Sequence, residues 1–172
     1  RRDEQHQIQR EALAEALAGL IEKFKESLNF RDLQVFEMIF YSQLRNKDVA
    51  RILGLTTAQV GMIKHRSLEH LRRRLAGPSG GEGIGEESPA LLTEVWESRR
   101  PSCPKRSTIG AYVLGTLDDA WHDYVDFHLN RLGCRFCLAN LEDLQRHSGG
   151  VAGQALRERI MESTVGWLPA QQ

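Results

Sequence analysis

The sequence predicts an all-α chain made of two small helical domains joined by a linker. Three observations carry this expectation. Apolar residues recur every three or four positions through most of the 172 residues. No stretch of strand length alternates apolar and polar residues. Helix-stopping residues stand where the periodic runs end, as at Gly54, Pro101 and Gly133.

The first helix is expected over residues 3–28, where Leu13, Leu17, Leu20, Ile21, Phe24 and Leu28 fall on one face and charges on the other. Asn29 and Phe30 interrupt that pattern. Leu33, Phe36, Ile39 and Phe40 then define a second, strongly apolar helix. Residues 46–75, NKDVARILGLTTAQVGMIKHRSLEHLRRRL, read as two helices with a tight turn between them. Val49, Ala50, Ile52 and Leu53 stripe the first of these. Gly54 sits where a left-handed helix end favours glycine, and Thr56 or Thr57 can cap the next helix. Val60, Ile63, Ser67, Leu68 and Leu71 give the second helix its inner face. This is the pattern of a helix-turn-helix, whose second helix enters the DNA major groove. The two preceding helices supply the core that a helix pair lacks by itself, so residues 1–76 are predicted to be one domain.

Residues 77–90, GPSGGEGIGEESPA, are rich in glycine, serine and glutamate and predict a flexible linker. A coil of that length reaches roughly 20 Å, which permits contact between the two domains without requiring it. The second domain, 91–172, restarts with Leu91, Leu92, Val95 and Trp96 on a short helix. A segment over Ile109–Leu117 follows, and then a helix capped by Asp118 or Asp119 with Trp121, Tyr124, Val125, His128, Leu129 and Leu132 on one face. Gly133 ends it, and Cys134 opens a helix carrying Cys137, Leu138, Leu141 and Leu144. A last amphipathic helix is expected over Ala155–Val165.

Formal net charge is zero, yet the signs are uneven. Residues 45–75 hold eight basic side chains against Asp48 and Glu69, a local charge of +6, so the remainder is acidic by the same amount. A basic module within a neutral chain suits nucleic-acid binding by one part only. No apolar run approaches the roughly 18 residues of a membrane helix, and the start, RRDEQHQIQR, has no apolar core of a secretory signal. It also lacks an initiator methionine, which predicts a fragment or a processed product. Three cysteines cannot all pair within one chain, so free thiols or metal ligands in a reducing cytoplasm are expected.

With Val60, Ile63, Ser67, Leu68 and Leu71 turned inward, helix geometry turns Gln59, Met62, His65 and Arg66 outward. Gln59 suits adenine, and Arg66 suits guanine or phosphate. Lys64 and Arg72–Arg74 are placed for phosphates, although a cationic helix end also complements the helix dipole. The candidate DNA-facing set is Thr57, Gln59, Met62, Lys64, His65, Arg66 and Arg73.

The stretch from Phe30 to Leu75, with its "DVARILGL" first helix, Val60 and His65-Arg66, resembles the C-terminal promoter-reading region (region 4) of bacterial sigma factors, nearest the extracytoplasmic-function group. The resemblance implies a fold that reads the −35 promoter element and docks on RNA polymerase core, with His65 and Arg66 facing DNA. Gly61 stands where such relatives carry a basic residue, and Met62 and Ile63 replace polar or basic ones. A mid-helix glycine costs roughly 1 kcal/mol relative to alanine.

The second candidate site is His128-x5-Cys134-x2-Cys137, with Cys103 lying 25 positions before His128. Two sulfurs at the start of a helix lie within reach of one ion. Cys103 and His128 would complete a tetrahedral Cys3His zinc site, structural because four protein ligands leave no open position. A lone CxxC also fits a redox pair or two buried small residues, and His128 fits a hydrogen-bonded core residue. Residues 103–144, with "IGAYVLGTLD", the "HL" and the CxxC, are similar to zinc-binding anti-sigma domains. That resemblance implies a domain that wraps a sigma factor and blocks polymerase binding. Its knuckle is His-x3-Cys-x2-Cys, so this chain has two extra residues. Either Leu132-Gly133 bulge and zinc still binds, or the histidine is not a ligand.

No glycine-rich phosphate loop, Ser/His/Asp set or paired carboxylates stand out, so an enzyme is not expected. The leading expectation is sigma-factor-like promoter binding modulated by a fused zinc anti-sigma-like domain. The competing readings are a protein-interaction module with a degenerate helix-turn-helix and a thiol redox sensor built on Cys134 and Cys137, whose place at a helix start lowers a thiol pKa.

Overall fold

A computed structural model describes residues 2–76 and 89–148. Every regular element among them is helical: α1 (Arg2–Glu26), α2 (Phe30–Phe40), α3 (Asn46–Leu53), α4 (Thr57–Ala76), α5 (Pro89–Arg99), α6 (Arg106–Leu114), α7 (Asp119–Asp126), a π-helical turn (Phe127–Arg131) and α8 (Arg135–Ser148). The all-α expectation holds. The helix expected over 155–165 and all but the last two residues of the expected linker lie outside the described residues. Among the described residues no helix is long and apolar enough to cross a membrane.

The contacts divide the chain into two compact units, Arg1–Cys103 and Pro104–Gln172. In the first, α1 lays Leu13, Leu17, Leu20 and Ile21 into a core completed by Leu33, Phe36 and Phe40 of α2, Val49 of α3, and Val60, Ile63 and Leu71 of α4. Full burial of each such side chain contributes about 1.5–3 kcal/mol. Leu28, at φ 54°, turns the chain out of α1, and the Asn29 side chain caps α2 by accepting the Asp32 amide.

Composition places a domain boundary at residues 77–90, whereas the contact division falls after α5. Pro89 and Ala90 already belong to that helix. Leu92, Val95 and Trp96 are buried, and the Trp96 ring lies 5.6 Å from that of Phe36. The Thr93 hydroxyl donates to the Phe40 carbonyl, and Arg10–Glu94 and Arg99–Glu11 ion pairs tie α5 to α1. Phe36 thus has an aromatic cover drawn from beyond the glycine-rich segment. Arg100, at φ 47°, then turns the chain, and Trp96 Nε1 donates to the buried Ser102 hydroxyl at 2.9 Å.

Among the described residues of the second unit, Ile109, Tyr124, Val125, Phe127 and Leu129 are the fully covered apolar side chains, joined by Cys134, Cys137 and His128. Asp118 caps α7 by accepting the Trp121 amide at 3.0 Å. Arg106 of α6 pairs with Asp143 of α8, which holds the Asp143 carboxyl below its ordinary range.

Candidate nucleic-acid interface and metal centre

The turn between α3 and α4 is closed by backbone chemistry. Gly54 adopts φ +66°, a conformation costly for a residue with a Cβ, and its amide donates to the Ala50 carbonyl. Leu55 donates to the same carbonyl at 2.9 Å. Asp48 pairs with Arg45 at 2.9 Å and Arg51 at 3.5 Å; the Arg45 hydrogen bond first, then the nearby cations, lowers its pKa.

The helix opens on a reciprocal cap. The Gln59 amide donates to the Thr56 hydroxyl at 3.1 Å, while the Thr56 amide donates to Gln59 Oε1 at 2.8 Å. Of the two threonines that the sequence offers, Thr56 is therefore the cap and Thr57 the first helical residue. Val60, Ile63, Ser67 and Leu71 are buried as expected, and Leu68 is half-buried.

Thr57, Gln59, Met62, His65, Arg66 and Arg73 are all exposed. Met62 is 61 % exposed, more than any other large apolar side chain described. Three members of the candidate set are less free than the sequence suggests. Lys64 is half-buried with its ammonium 5.7 Å from the Phe40 ring centre. Arg66 donates to the buried Asp32 carboxylate at 3.3 Å. Arg73 and Arg72 lie 3.8 Å from Glu69. Gly61 has no close neighbour: a Cβ built there meets only Asn46 Nδ2, at 4.0 Å.

Arg31 escaped the sequence reading. With Gln59, Met62, Ile63 and Arg66 it lines a shallow groove of about 200 Å³. No sequence signal links Arg31 to α4, because the two meet only through the packing of α2.

The four candidate metal ligands converge. The Sγ atoms of Cys103, Cys134 and Cys137 and a ring nitrogen of His128 all lie within 4.8 Å of one another. His128, Cys134 and Cys137 are buried, and Cys103 is half-buried. Tetrahedral zinc with Zn–S bonds of about 2.3 Å requires sulfurs about 3.8 Å apart, so this donor set fits such an ion with small side-chain adjustments. The five residues between His128 and Cys134 fold back locally. His128 lies on the π-helical turn, where Leu132 donates to the Phe127 carbonyl at 2.9 Å. Gly133 then reverses the backbone at φ +66°, and the Cys134 amide returns to the His128 carbonyl at 3.3 Å. His128 thus lies with the three sulfurs. His122 is exposed and lies outside the cluster.

Residues 26–73 match the family model "Sigma-70, region 4". The match runs from the end of α1 to the last turns of α4, covers less than a third of the chain and excludes the Cys/His cluster. No curated protein and no solved structure matches the chain.

Proposed function

We propose that the chain is a transcription regulator whose α4 reads promoter DNA in the manner of a sigma factor's region 4. The observation that carries this reading is the capped, exposed face of α4 within a segment similar to that region. Met62 offers an apolar contact to a thymine methyl, and His65, Arg66 and Arg73 offer polar and cationic contacts to bases and phosphates. Docking on RNA polymerase core, and recognition of a −35 element, follow by the same similarity.

The Cys/His cluster is proposed to hold one structural zinc ion through Cys103, His128, Cys134 and Cys137. Bound zinc would cross-link the turn before α6, the π-helical turn and the start of α8. The few apolar side chains fully covered among the described residues of the second unit favour such a staple, because small domains with little burial need one. We read this half as an anti-sigma-like element that modulates access of α4 to DNA or polymerase, in a regulatory, non-catalytic and cytoplasmic protein.

The test is duplex binding by the full chain from a random-sequence library, measured against salt. Promoter reading predicts enrichment of a defined sequence and affinity that falls steeply with salt as counterions are released. No binding even at low salt removes the DNA role. The exposed Met62 beside Gly61 favours a second reading, a protein-docking helix, under which Arg66→Ala leaves function intact.

A further inference from the structure

A concavity of about 380 Å³ in the first unit lies between the end of α1, the start of α2 and the middle of α4. It is within the size range of small-ligand sites, about 300–1,000 Å³. Its walls carry Lys23, Arg31, Arg66 and His70 against a single carboxylate, Asp32. Asp32 is already engaged, at 3.3 Å from Arg66 and 3.6 Å from Arg31. Three fixed cations therefore face one anion before His70 is counted.

Two further features point the same way. The N-terminal end of α2 opens here, with its capping Asn29 on the cavity wall, and a helix start carries partial positive charge. The Nε2 atom of His70 is shielded from solvent and has no hydrogen-bond partner among the described residues. A shielded ring nitrogen of this kind ordinarily has a partner. Burial first, then the cations Lys23, Arg74 and Arg73, lowers the His70 pKa, and an anion in the cavity would oppose that shift.

We propose that this cavity binds a phosphoryl group, held by Lys23, Arg31 and His70 at the start of α2. The group belongs either to a DNA backbone or to a free phosphorylated small molecule. The cavity shares Arg31 and Arg66 with the groove beside Gln59 and Met62, whereas Lys23 and His70 line the cavity and not that groove, and take no part in the proposed base reading.

The experiment follows the His70 imidazole resonance of the full chain by NMR, assigned by its loss in His70→Gln, as inorganic phosphate is added. A saturable shift is expected, together with a raised His70 pKa, because a bound anion favours the protonated ring. Lys23→Ala, at an exposed position, should weaken phosphate about tenfold, the effect of removing one charge-assisted hydrogen bond. Displacement of phosphate by a short duplex assigns the site to the DNA backbone. Simultaneous binding of both assigns it to a free phosphorylated molecule. The absence of a saturable shift, or a shift unchanged by Lys23→Ala, overturns the proposal whether or not the protein binds DNA.

Discussion

The side-chain oxygen of Gln59 accepts the backbone amide of Thr56, and the Thr56 hydroxyl accepts the backbone amide of Gln59. A residue suited to adenine is thus committed, through its oxygen, to starting the helix that would carry it to the base. The bidentate adenine contact uses both ends of a glutamine amide, so it must compete with the cap. Gln59→Glu should retain the cap and the melting temperature while weakening duplex binding. Thr56→Ala should lower stability by about 0.5–2 kcal/mol, read by urea unfolding.

Gly61 offers a gain. Nothing approaches its missing side chain more closely than 4.0 Å. Gly61→Ala should therefore stabilise the protein by up to about 1 kcal/mol. Gly61→Lys should tighten DNA binding and steepen the logarithmic salt dependence by about one, the signature of one added phosphate contact.

Arg66 and Asp32 are unequal partners, the Arg66 side chain 61 % exposed and the Asp32 side chain 9 %. Removing the arginine leaves the buried carboxylate with only the more distant Arg31, at 3.6 Å, whereas removing both leaves neither charge of the pair. Arg66→Ala should cost about 1 kcal/mol, kept small by solvent around the guanidinium. The double variant Arg66→Ala, Asp32→Ala should recover part of that stability without recovering DNA affinity. Equal stability losses in the two proteins would deny the pairing its structural role.

Purified, chelator-free protein should carry zinc at near one-to-one stoichiometry by elemental analysis. Chelation, or Cys137→Ser, should reduce helicity, because metal binding and folding are coupled in small metal domains. His128→Cys keeps four ligands and should retain the ion better than His128→Ala. Protein that binds no zinc but forms a reversible Cys134–Cys137 disulfide would favour the redox-sensor reading instead.

His70 makes stability depend on pH. Its folded-state pKa lies below the ordinary 6.5, so the unfolded chain takes up a proton first as the solution is acidified. The stability that depends on neutral His70 is complete above 6.5 and is lost as pH falls through the folded-state value. His70→Gln should flatten that part of the profile in urea midpoints collected across the acidic range. An unchanged slope would mean that the imidazole is not perturbed.

Much of this protein is readable from periodicity. The inner face of α4 follows directly from Val60, Ile63, Ser67 and Leu71, and the turn from a glycine where the backbone must be left-handed. The Cys/His set is readable too, since chemistry and spacing name its members before their distances are known. Three features are not. Trp96 seats on Phe36 from beyond a segment whose composition resembles a linker, and composition carries no information about what packs on what. Arg31 joins Met62 and Arg66 only through the packing of α2. The half-buried posture of Lys64 over Phe40 likewise depends on a neighbour distant in sequence.

The π-helical turn at Phe127–Arg131 bears on how this chain tolerates changes in length. One residue inserted into a regular α-helix rotates everything beyond it by about 100°, enough to swing a ligand off its face. A π-helical turn absorbs such an insertion within a few residues, and the left-handed Gly133 returns the chain to its course. The segment between His128 and Cys134 therefore works as an expansion joint. An insertion there would leave the side chains at either end close together, as they are now. Motif searches that demand a fixed count of residues between histidine and cysteine will pass over chains built this way.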